Sequence, residues 1–254
     1  MTKQSASAIL LALTLTVAGC KSNTAANKTE ATPTIPTAPA PNPDAGKVTG
    51  TIHFTGKAPE RTRIDMSMDP ACSMTAAEND AEQYIVKDGK LANVYLYIKS
   101  GATPSQAPSN TPPVVLDQKG CRYTPHVIAL QQGGSVEFHN SDPTMHNVHT
   151  TPTVNPTVDV SQGPMGQPQV KQFPKPETMM PVRCNNHPWM NAFINVADTP
   201  FFAVSAPDGS FTISGLPPGA YTLAAVHEKL GEQDTQITVP AKGTAKADFT
   251  YSIK

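Results

Sequence analysis

"RCNNHPWM", Arg183 to Met190, sets a cysteine, a histidine and a methionine three residues apart. The chain has four cysteines and one tryptophan in 254 residues, yet Cys184, His187, Trp189 and Met190 share this one loop. Thiolate, imidazole and thioether are the donors of a soft transition-metal site. The competing readings are a zinc site or an oxidised structural cysteine. Zinc usually recruits a carboxylate, a water or further thiolates rather than a methionine.

A fourth donor lies upstream. "VEFHNSDPTMHNVHT", Val136 to Thr150, supplies His139, His146 and His149. A strand should end near Asn140, "SDPT" should turn, and "HNVH" should open the next strand. His146 with Cys184, His187 and Met190 makes two imidazoles, one thiolate and one thioether. That set selects copper, in a trigonal His, His, Cys arrangement with a weak axial methionine. A binuclear centre would need a second cysteine in the loop, and Asn185-Asn186 supplies none. The expectation is one type 1 copper.

From Val114 to Ala197 the order is strand, glycine turn, "VEFHN", turn, "HNV", long loop, strand, cysteine loop. This order resembles the cupredoxins, the blue copper proteins, and "CNNHPWM" has the short spacing of amicyanin. The resemblance implies a Greek-key β-sandwich, single-electron transfer between redox partner proteins, and His146, Cys184, His187 and Met190 as the metal ligands. It implies that Asn147 hydrogen-bonds across to the cysteine loop and tunes the metal. It also implies that His187 meets solvent through an apolar docking patch at Pro188 and Trp189. The alternative for Trp189 is a packing residue against the tail of the chain. Two departures stand out. Met145 and His149 flank His146, so His149 stays open as the ligand. Val154 to Pro176 is proline-rich and reads as a long loop. His126 and His139 read as structural and Met179-Met180 as core. His227 reads as bonded to a backbone group or facing the metal domain.

The rest of the chain reads as β-structure in short runs, an all-β pattern of sandwiches. "KVTGTIHF" alternates, and "QYIVKDGKLANVYLYIKSG" reads as a hairpin around Asp88-Gly89. Pro70 to Ala81 has the composition of a short helix. "APDGSFTISGLPPGAYTLAAV" resembles carboxypeptidase regulatory-like, or transthyretin-like, sandwiches. About Phe201 to Tyr251 is too short to close such a sandwich alone. The strands from Lys47 to about Lys99 are therefore expected to complete it, with the copper domain inserted between. The alternative is a cupredoxin domain with a small sandwich appended.

The first residues read as an export signal. Lys3 is a weak positive start, and Ala8 to Ala18 is an apolar run too short to span a bilayer. "VAGC", Val17 to Cys20, resembles a bacterial lipobox, and the resemblance implies that Cys20 is lipidated and anchors the chain to a membrane facing the periplasm or cell exterior. The alternative is an ordinary signal peptide with a chance cysteine. Ser22 to Gly46 has almost no large apolar residue and reads as a disordered tether. With Cys20 lipidated and Cys184 on the metal, Cys72 and Cys121 are expected to pair in an exported protein. The alternatives are two free thiols or a second copper site.

The expected division is a signal peptide at 1–19, a lipid-anchored linker at 20–46, N-terminal strands at 47–112, a cupredoxin domain at 113–198 and a regulatory-like sandwich at 199–254. Charged residues are 15% of the chain and the net charge is -1, which gives no basic field for nucleic acid. No nucleophile–base pairing points to an enzyme. Two other readings compete with an electron carrier. One is a copper chaperone or store, drawing on Met145, His149, Met165, Met179 and Met180. The other is an interaction module with a vestigial site.

Overall fold

The computed structural model describes residues 42–75 and 79–253. β1 (Gly46–Thr55) is followed by a short helix, α1 (Pro70–Thr75), then β2 (Val86–Lys87), β3 (Lys90–Leu91) and β4 (Tyr95–Ser100). β5 (Val114–Gln118), β6 (Tyr123–Thr124), β7 (Val127–Gln131), β8 (Ser135–Asn140) and β9 (His146–Thr150) come next. β10 (Asp159–Gln162), β11 (Gln169–Gln172), β12 (Glu177–Arg183) and β13 (Asn191–Ala197) complete the middle of the chain. β14 (Phe202–Val204), β15 (Ser210–Leu216), β16 (Gly219–His227), β17 (Gly231–Val239), β18 (Thr244–Lys246) and β19 (Phe249–Ser252) finish it. The fold is all-β, with several sheets.

The middle of the chain builds one sandwich from the sheets β10-β9-β12-β13-β7 and β11-β8-β5-β6. β8 shows why. Its residues alternate, with Val136, Phe138 and Asn140 turned inward, because successive side chains leave opposite faces of a strand. Leu116, Val136, Phe138, Val148, Val182 and Ile194 share one core, and Cys184 and Met190 lie in it. Burying each large side chain contributes roughly 1.5–3 kcal/mol, so the cysteine loop sits at the end of a dry and well-fixed core.

The other sandwich takes strands from both ends of the chain. β1 pairs antiparallel with β15, Val48 opposite Ile213, and parallel with β18 and β19, Ile52 opposite Phe249. β4 lies between β14 and β16 in the facing sheet. The sandwich that carries the cysteine loop is thus inserted between β4 and β14. Gly50 lets β1 lie this close to the C-terminal segment, since a Cβ there would stand 1.7 Å from the Ala247 carbonyl oxygen. The β2–β3 hairpin turns through Asp88 and Gly89, both at positive φ, as a tight hairpin requires.

One expectation changes. Val154 to Pro176 is not all loop. It carries two edge strands, β10 paired with β9 and β11 paired with β8, both short and largely polar, as suits edges. The short helix expected near Pro70 is present at Pro70–Thr75. The described residues of the connection from β1 to β2, 56–75 and 79–85, leave their own sandwich. Ile64, Met66 and Cys72 on it pack into the core of the other one.

Both sandwiches belong to one compact unit, Pro36–Lys254. Tyr95, Ala197 and Val226 meet at the junction with Met179 and Phe202. The expected signal peptide, the expected lipidation at Cys20 and most of the expected tether fall outside the described residues. Among the described residues no helix is long and apolar enough to cross a membrane.

Candidate metal centre

β12 ends at Arg183 and β13 begins at Asn191, so the cysteine loop is the turn between two paired strands. Its backbone is closed by Cys184 N–H to the Met190 carbonyl at 3.3 Å and by Met190 N–H to the His187 carbonyl at 2.9 Å. His146 opens β9, whose neighbour in the sheet is β12. These placements bring His146, Cys184 and His187 together, all buried, with their donor atoms within 4.8 Å of one another. His149 is not part of this group. It is half-exposed, with Nδ1 3.3 Å from Asp159 Oδ2. Met190 is 1% exposed in the core below the loop.

The two imidazoles are held from behind. His146 Nε2 bonds Asp142 Oδ2 at 2.9 Å, and His187 Nε2 bonds Asp69 Oδ2 at 3.1 Å. A ring that gives its Nε2–H to a carboxylate leaves a lone pair on Nδ1. The two Nδ1 atoms then face each other at 2.9 Å, and Cys184 Sγ lies 3.5 Å from His187 Nδ1. Two bare acceptors at that distance repel, so the pocket favours a shared proton or a cation. Nitrogen bonds of about 2.0–2.1 Å to a first-row ion can reach both. The donor set and its geometry fit such an ion.

The thiol is tuned to the same end. Burial pushes its pKa up, but hydrogen bonding from His146, the Asn147 and Asn186 amides and His187 outweighs this and brings it to about 6. Burial pulls His146 down, and the Asp142 carboxylate and the Cys184 thiolate outweigh that and raise it to about 9. The thiolate is the metal-binding form, and the lowered pKa favours it.

Asn147 joins the two ligand segments. Its N–H points at Cys184 Sγ, 3.3 Å away, and its Oδ1 accepts from Asn185 N–H at 3.4 Å. Tyr123 OH donates to the Asn147 carbonyl. Trp189 is half-buried, lies 5.1 Å from the His187 ring, and donates Nε1–H to the Cys121 carbonyl. Pro188 is exposed. With Cys184 and Asn185 it lines a cleft of about 410 Å³ shared with Glu228 and Lys229 of the other sandwich. His187 itself does not meet solvent. It is 4% exposed, because Asp69 covers its outer nitrogen.

Cys72 and Cys121 form a disulfide. His126 is buried at the junction, with Nε2 2.6 Å from Glu228 Oε1 and Nδ1 3.2 Å from the Asn191 carbonyl. His139 lies beside Glu137. His227 accepts from Lys229 N–H, and burial lowers its pKa to about 4. Met180 is core, and Met179 packs at the junction. The residues missed in the sequence are Asp142 and Asp69. Asp142 stands four residues before His146, a spacing that could have flagged it. Asp69 is 118 residues from His187, and no local pattern marks it.

Comparison with known proteins gives likenesses to both halves. Residues 183–252 match the carboxypeptidase regulatory-like domain family, a match that takes in the cysteine loop and β13 as well as β14–β19. A Cu(I) form of an amicyanin mutant matches at 22% identity over 40% of this chain and 97% of its own, with a TM-score of 0.31. Amicyanin from Paracoccus versutus matches at 17% identity over 40% and 96%, with a TM-score of 0.30. A Cu-containing nitrite reductase from Thermus scotoductus matches at 23% identity over 37% of this chain, with a TM-score of 0.32, and the chain spans only 25% of its length. No curated protein matches the sequence.

Proposed function

We propose that this protein binds one type 1 copper at His146, Cys184, His187 and Met190 and carries single electrons between redox partner proteins. The observation that supports it most is the pair of aspartate-backed imidazoles whose Nδ1 atoms converge beside the buried Cys184 sulfur. When bound there, copper would supply a one-electron couple whose potential follows its axial ligand and surroundings. The chain's own residues do the rest. Asp142 and Asp69 fix the ring orientations, Asn147 ties the cysteine loop to β9, and the buried core excludes water. Such constraint keeps the donors in place as the charge of the ion changes.

The export signal, lipidation at Cys20, and a membrane anchor facing the periplasm or cell exterior belong to the same proposal. They rest on the "VAGC" motif and the apolar run before it. Pro188 and Trp189, beside the cleft at the sandwich junction, are the proposed docking patch. The proposed role is that of a carrier, not an enzyme.

A copper chaperone or store is the second reading. Met145 and Met165 favour it, since they are 52% and 66% exposed although methionine usually lies inside. Copper stoichiometry with spectroelectrochemistry separates the two. One copper per chain with a reversible one-electron couple supports the carrier. Several coppers per chain, or no reversible couple, supports the store.

A further inference from the structure

We propose that residues 65–75 are a cap that closes the outer edge of His187, with Asp69 as the positioning residue that latches it. The inference deepens the metal-centre reading, but its geometry stands without the ion.

The route of the chain is the first argument. β1 and β2 both run antiparallel to β3, and a crossover of about a dozen residues would join two such parallel strands within their own sandwich. Instead residues 56–85 cross to the other sandwich, bury Met66 in its core and return. Loops this long usually carry a function. At Asp69 the segment reaches His187.

The second argument is how firmly Asp69 is held. Its Oδ2 accepts from Thr144 Oγ1 at 2.7 Å and bonds His187 Nε2 at 3.1 Å, and its Oδ1 accepts from the Ala71 N–H at 2.8 Å. Ser73 N–H and Oγ bond back to residues 66 and 69. The third argument is Cys121. Its sulfur holds Cys72 on α1, its N–H bonds Asp142 Oδ2 at 2.8 Å, and its carbonyl accepts from Trp189. One residue therefore ties the cap to the aspartate behind His146 and to the tryptophan beside His187. A cap fixed at that point seals the ring edge against water and small anions, and exchange of ligands there requires its displacement.

The test uses the metal-free full chain and diethyl pyrocarbonate, with histidine modification located by peptide mass. His149, half-exposed on the same sandwich, is the internal reference. The cap predicts that His187 reacts far more slowly than His149 in the wild type. Asp69→Ala should bring His187 to the rate of His149, with His149 unchanged. Asp69→Ala should also weaken copper binding about tenfold or more. Thr144→Val keeps the side-chain volume and only frees Asp69, so it should raise the His187 rate in a chain that still folds. A wild-type His187 as reactive as His149, or a His187 still protected in folded Thr144→Val and Asp69→Ala chains, overturns the cap. Protection that follows Asp69 in a chain that fails to bind copper keeps the cap and removes the copper reading instead.

Discussion

The Nδ1 atoms of His146 and His187 face each other 2.9 Å apart, and behind each ring stands an aspartate, Asp142 for one and Asp69 for the other. Asp142 is fixed by the amides of Gly120 and Cys121 at 2.7 and 2.8 Å, which converge because both residues adopt positive φ. Its role is to keep the His146 proton on Nε2. Asp142→Ala should therefore lower copper affinity by about 10- to 100-fold, read by competition with a chelator. Unchanged affinity would show that the ring is oriented by packing alone.

Cys184 should titrate far below an ordinary thiol. In the folded, metal-free protein its thiolate absorbance in the ultraviolet should rise with a midpoint near pH 6, against a usual value of 9.0. A folded pKa below the unfolded one means the native state binds fewer protons between the two values. This contribution to stability is full above 9 and is lost as pH falls through about 6. His146, raised from 6.5 to about 9, acts with the opposite sign. Its contribution is full below 6.5 and is lost as pH rises through 9. Where the two ranges overlap the slopes oppose, so the metal-free melting temperature should be nearly flat there. A thiolate midpoint near 9 would contradict the description of the pocket.

The Cys72–Cys121 bridge spans a sequence separation of 49. Loop-closure entropy then assigns it about 4 kcal/mol of stability. Cys72→Ala with Cys121→Ala should lower the unfolding free energy by that order in a denaturant titration. A loss below about 1 kcal/mol would mean that the excursion is held by its core contacts without the covalent tie.

Met190 is buried against the core, so Met190→Leu nearly conserves volume and should cost less than about 1.5 kcal/mol. The copper-loaded variant should keep its colour, and its reduction potential should rise, since a thioether no longer donates to the ion. A potential that stays where it was would remove Met190 from the axial role.

Much of this was readable because strands announce themselves locally. Val136, Phe138 and Asn140 alternate inward, and Asp88-Gly89 marks its own hairpin. The ligand loop was readable because the three donors lie within seven residues. β10 and β11 escaped notice because "DVSQ" and "QVKQ" bury little and owe their strand form to the edges they join. Asp69 was invisible for a related reason. The bond it makes to His187 exists only after residues 56–85 have crossed from one sandwich to the other. His187 was expected at a solvent-facing patch, and that tertiary contact is what buries it.

The most direct test is to add one equivalent of Cu(II) to the metal-free protein and record visible absorption and EPR spectra beside those of Cys184→Ser. The proposed site predicts an intense thiolate charge-transfer band and compressed copper hyperfine coupling, both absent in the variant. A colourless, ordinary Cu(II) spectrum, or spectra that the substitution leaves unchanged, would contradict it.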